Sequence, residues 1–78
     1  MIIKILGTGC DKCDTLEENV KEAINELGIE ASVEKIENLL EIVKYGVMTS
    51  PTLVIDEKIV STGKVLKVKK IKELIEKN

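Results

Sequence analysis

Histidine, arginine, tryptophan, phenylalanine and glutamine are all missing from this 78-residue chain, and Tyr45 is its sole aromatic residue. Without histidine there can be no Ser/His or Cys/His catalytic pair and no Cys2His2 zinc site. A single aromatic ring cannot form a base-stacking platform. The lack of arginine removes bidentate clamping of phosphate, and twelve lysines against fourteen acids leave a net charge of -2, so no nucleic-acid partner is expected. Long apolar runs are absent too. The stretch Ile2-Ile3-Lys4-Ile5-Leu6 is too short for a secretory signal or a bilayer span, so the expectation is a cytoplasmic protein with no membrane association. With only two cysteines, a closed four-ligand zinc site would need a second chain or several carboxylates, and neither a metal nor an organic cofactor is expected.

What is present fits one small domain spanning residues 1–78, in the size range where only ~60% of the unfolded surface is buried. Ile2 to Leu6 reads as a buried strand. Leu16, Val20, Ala23, Ile24 and Leu27 then recur at helical spacing until Gly28 stops the helix. Ile29 to Ile36 alternates as a strand, and Asn38 is placed to cap a short helix carrying Leu39, Leu40, Ile42 and Val43 up to Gly46. Thr52-Leu53-Val54-Ile55 and Ile59-Val60-Ser61 flank the turn Asp56-Glu57-Lys58 as a hairpin. Val68, Ile71, Leu74 and Ile75 mark a closing helix. The order β-α-β-α-β-β-α predicts an α/β fold with a four-stranded mixed sheet flanked by helices, its first two strands parallel and its last two antiparallel. The lysines at 64, 67, 69, 70 and 72 read as a solvated helix face whose charge pattern Glu73 and Glu76 complete.

The two cysteines fall together in Gly7-Thr8-Gly9-Cys10-Asp11-Lys12-Cys13, between the first strand and the first helix. A Cys-x-x-Cys pair at that junction can close a disulfide within one turn of backbone and so store two electrons without a cofactor. In the cytosol a persistent structural disulfide is rare, which leaves catalysis, redox sensing or metal binding. The free N-H groups and positive end of the helix favour thiolate at Cys10, making it the nucleophile. Cys13, one turn inside, is the buried resolving thiol. Asp11 and Lys12 tune that thiolate in opposite senses, Lys12 favouring it and Asp11 opposing it.

The only proline, Pro51, stands in Thr49-Ser50-Pro51-Thr52 before a strand expected to neighbour the first. Proline cannot donate to a sheet ladder. A cis Ser50-Pro51 bond would turn the chain sharply and offer the Ser50 backbone to an extended substrate beside the cysteines, whereas a trans bond would merely open the strand.

Taken together, Thr8-Gly9-Cys10-Asp11-Lys12-Cys13 with Leu16-Glu17, then Leu27-Gly28, then Pro51-Thr52 before a hairpin, resemble the thioredoxin-fold family, in particular its small stand-alone thioredoxin-like and glutaredoxin-like redox-active-disulfide proteins. The resemblance implies an attacking Cys10, a resolving Cys13 and a cis Pro51 beside them. It also implies a disulfide-containing protein substrate and an upstream thioredoxin-reductase-like electron donor. The chain departs from larger thioredoxins in having Gly9 before the pair, Asp11-Lys12 within it, and Lys4 as the charged residue of the first strand. Ser61-Thr62-Gly63-Lys64 lacks the paired glycines and acid of glutathione-using glutaredoxins.

The expected function is therefore thiol-disulfide oxidoreduction through Cys10 and Cys13. The alternatives are a soft-metal (copper) carrier with two thiolate ligands and a non-catalytic redox-sensing module of the same fold. The first would end on a strand and has no task for Pro51. The second would titrate once with an oxidant without cycling.

Overall fold

The computed structural model describes residues 1–7, 11–47 and 51–77. Its elements follow the predicted order: β1 (Ile2–Leu6), α1 (Asp11–Leu27), β2 (Ser32–Ile36), α2 (Leu39–Lys44), β3 (Thr52–Ile55), β4 (Lys58–Thr62) and α3 (Val68–Lys77). The four strands form one mixed sheet in the order β2-β1-β3-β4. β1 runs parallel to β2 and antiparallel to β3, and β3 and β4 form the antiparallel hairpin.

Side-chain alternation in β1 divides the core. Ile3 and Ile5 point to one face, where with Leu53 and Ile55 of β3 they meet Leu16, Val20 and Ala23 of α1 and Ile71 and Ile75 of α3. Leu6 points to the other face and packs with Val54, Ile42 and Val47. Two amphipathic helices thus seal one face. Among the described residues the opposite face is covered by α2, whose six residues span ~9 Å, and by Tyr45 and Val47 just after it.

That partial cover changes the reading of α2. Asn38 caps the helix as expected, its side-chain oxygen accepting the Leu40 N-H at 2.9 Å. Of the four apolar residues, however, only Ile42 is buried, while Leu39, Leu40 and Val43 are exposed. A helix of a turn and a half sets one of its side chains into the core.

The second strand is shorter than its alternation suggests. It begins at Ser32 rather than Ile29, because its ladder partner β1 begins at Ile2, which pairs with Ser32. The Ser32 N-H donates to the Met1 carbonyl at 3.0 Å, and residues before it have no strand to pair with. At the hairpin, Asp56 and Glu57 both take positive φ, 48° and 67°, forming a two-residue turn; Lys58 already belongs to β4. Asp56 is held in this conformation by a reciprocal clasp with β1: its N-H donates to the Ile2 carbonyl and its Oδ1 accepts the Ile2 N-H, both at 2.8 Å.

Candidate functional site

The candidate site lies at the C-terminal end of β1. From there the chain passes through buried Gly7, whose N-H donates to the Ile36 carbonyl at 3.0 Å, towards the start of α1. Because β1 and β3 are antiparallel with Leu6 opposite Thr52, the beginning of β3 sits at the same end of the sheet. The sheet therefore brings the C-terminal end of β1, which leads to α1, and Pro51 to one end although they are separated by more than half the chain.

Cys13 is in the first turn of α1 and is fully buried, in line with an inner position one turn into the helix. It is not a free thiol but is disulfide-bonded. Asp11 and Lys12 are both exposed, and the first turn also carries Asp14, which is drawn aside into an ion pair with Lys35 of β2. That pairing, with Glu37 at 3.6 Å, raises the Lys35 ammonium above its ordinary pKa, the Asp14 hydrogen bond being the main cause. Cys10 and Ser50 lie outside the described residues, and so does the Ser50-Pro51 peptide bond whose cis form was expected.

Pro51 itself is buried, and Thr52 after it is the one buried polar residue among those described. The Pro51 carbonyl accepts the N-H of Gly63 at 2.8 Å. Gly63 has φ of +68°, a conformation that glycine adopts without the penalty other residues carry. This bond fastens the segment after β4 to the end that holds Pro51. Three segments thus converge: the first turn of α1, the start of β3, and the loop from Gly63 into α3. The last was not singled out from the sequence as part of the site, where Gly63 is one glycine among five.

A second polar group stands on the thinly covered face. The Lys4 ammonium, from the middle of β1, donates to the Tyr45 hydroxyl at 2.9 Å and to Glu57 Oε1 at 2.7 Å, and lies 5.7 Å from the centre of the Tyr45 ring. The Glu57 and then the Tyr45 hydrogen bonds push its pKa well above the ordinary lysine value. Lys4 can occupy a central strand because α2 stops short and leaves its stem a path to these partners. The sequence marked Lys4 as the charge in the first strand, but its partners are 41 and 53 residues distant along the chain.

No helix among the described residues is long and apolar enough to cross a membrane. The chain's relatives agree with the architecture. A family model described as "Thioredoxin domain" matches residues 1–76. A protein named thioredoxin from Methanocaldococcus jannaschii is 44% identical over 73 residues, covering 94% of this chain and 84% of its own length. A second thioredoxin, from Methanothermobacter thermautotrophicus, is 40% identical over 75 residues, covering 96% of this chain and 97% of its own. With the four-stranded mixed sheet and its flanking helices in the expected order, these matches place the chain in the thioredoxin family, whose general chemistry is thiol-disulfide oxidoreduction.

Proposed function

We propose that the protein is a cytoplasmic thiol-disulfide reductase or electron carrier working through Cys10 and Cys13. The observation that carries this reading is the position of Cys13, buried in the first turn of α1 at the sheet end where β3 opens with Pro51. Cys10 precedes it by three residues in sequence.

The reaction balances without a cofactor. The Cys10 thiolate attacks one sulfur of a partner disulfide, forming a mixed disulfide and releasing the other partner sulfur as thiolate. Cys13, deprotonated, then attacks the Cys10 sulfur, closing the internal bridge and releasing the second partner thiolate. Two electrons leave the dithiol and two protons accompany them to the partner's thiols. An upstream dithiol donor of the thioredoxin-reductase kind restores Cys10 and Cys13. Burial of Cys13 supports its later role, since a thiol shielded from solvent reaches only a sulfur held beside it. Lys12 and Asp11 act on the thiolate through space, and Ser50 with a cis Pro51 offers backbone to an extended substrate segment.

Insulin-disulfide reduction by wild type, Cys10→Ser and Cys13→Ser tests this reading. Cys10→Ser should be inactive, and Cys13→Ser should accumulate a mixed disulfide with its substrate. A wild type that forms an internal bridge but never turns over with a dithiol donor would instead support redox sensing.

A further inference from the structure

We propose that the lysines around the start of α3 form a docking surface for an acidic polypeptide segment beside the substrate's disulfide. This inference rests on the reductase reading above and specifies its substrate class. The solvated-face reading of the lysine stretch accounts for only part of it. Lys70 pairs with Glu73 at 3.9 Å, and Lys72 with Glu26 of α1 at 3.1 Å. Lys64, Lys67 and Lys69 are exposed and make no ion pair among the described residues, and α3 has no acid in its first turn to offset them. In a chain of net charge -2, positive charge is thus concentrated at one place.

That place adjoins the candidate site. The Gly63 N-H is bonded to the Pro51 carbonyl, so Lys64 follows directly from the end where Pro51 lies. Farther along, the Leu66 carbonyl accepts the Asn19 side-chain amide at 2.9 Å, which lays the loop against α1. Lys12 is seven residues before Asn19, two helical turns away on the same side of α1, and adds its charge to the same flank. Lys64, Lys67, Lys69 and Lys70 line a shallow groove around half-buried Val65 and Leu66, with Glu73, the partner of Lys70, as its one acid. An apolar floor bordered by Lys64, Lys67 and Lys69, whose ammonium groups make no ion pair among the described residues, suits a polypeptide that carries both carboxylates and aliphatic side chains. Without arginine or an aromatic ring in this groove, a polynucleotide gains neither forked phosphate contacts nor stacking.

The test compares three synthetic peptides that share one disulfide and carry acidic, neutral or basic flanks. The acid-flanked peptide should be reduced with kcat/KM roughly tenfold higher than the basic one at low ionic strength, and the difference should shrink between about 20 mM and about 500 mM salt. The variant Lys64→Gln/Lys67→Gln/Lys69→Gln should lose this preference and keep wild-type kinetics with the neutral peptide. Absence of a preference, or a preference the variant retains, overturns the proposal. Should wild type reduce none of the peptides, the reductase reading fails, and docking is then decided by titrating isotope-labelled protein with the acidic peptide carrying serines for cysteines. Amide shifts at residues 63–70 that vanish in the variant support docking, and their absence overturns it. Tighter binding of a short single-stranded oligonucleotide than of the acidic peptide also overturns it.

Discussion

The carbonyl of Pro51 and the N-H of Gly63 are joined by a 2.8 Å hydrogen bond that ties the loop entering α3 to the end of the sheet where β3 begins. Gly63 meets this demand with a φ of +68°. Gly63→Ala should cost about 1 kcal/mol through the left-handed backbone alone. Gly63→Pro loses the donor and cannot adopt that φ, so it should cost about 3 kcal/mol or more. Urea midpoints of the two variants check the order.

Two leucines on helices should respond to truncation very differently. Leu16 is fully buried between α1 and the sheet, and Leu16→Ala should cost about 2–5 kcal/mol, enough to unfold much of so small a domain. Leu40 is 74% exposed, and Leu40→Ala should change stability by less than about 0.5 kcal/mol. Equal losses at the two positions would mean that something covers α2 in solution.

Lys4 sets a pH window at the alkaline end. Its folded pKa is raised above the ordinary 10.5, so its contribution is fully present below that value and is lost as pH rises through the folded one. The stability difference between wild type and Lys4→Met should therefore be level from neutral pH to about pH 9.5 and decline above about pH 10.5. Chemical denaturation of both proteins across that range measures it.

After reduction, Cys10 and Cys13 should differ in reactivity. With Cys13 fully buried, iodoacetamide should modify it at least roughly tenfold more slowly than Cys10, as access and thiolate fraction both limit alkylation. Peptide mapping after a short pulse distinguishes the two sites, and equal labelling would contradict the assignment of Cys13 as the resolving thiol.

Strand and helix boundaries were legible wherever one residue type has a single local job. Ile2–Leu6 ends at a glycine, Leu27 is followed by Gly28 at φ +65°, and Asn38 caps α2. Misreadings arose where the answer depended on a neighbour distant in the chain. The alternation from Ile29 is real, but a strand exists only from Ser32, where β1 is there to pair. The short helix carries Leu39, Leu40, Ile42 and Val43 as read, yet only Ile42 of them is buried. The candidate site was partly legible, since Cys13 and Pro51 carry distinctive chemistry. Gly63 and Glu57 do not, and although Tyr45 is the one aromatic residue and Lys4 the charge of the first strand, nothing local shows that Lys4, Tyr45 and Glu57 meet.

Of the two interior strands, β1 precedes both of its neighbours in the chain: its parallel partner begins at Ser32 and its antiparallel partner at Thr52. During synthesis the scaffold of the fold is consequently made first and completed late. A nascent chain that has not yet emerged beyond Ile55 holds the ladder edge of β1 open, with Ile3 and Ile5 lacking Leu53, Ile55 and the whole of α3. Nascent chains of this protein should thus remain clients for chaperones until α3 is free to pack against β1 and α1.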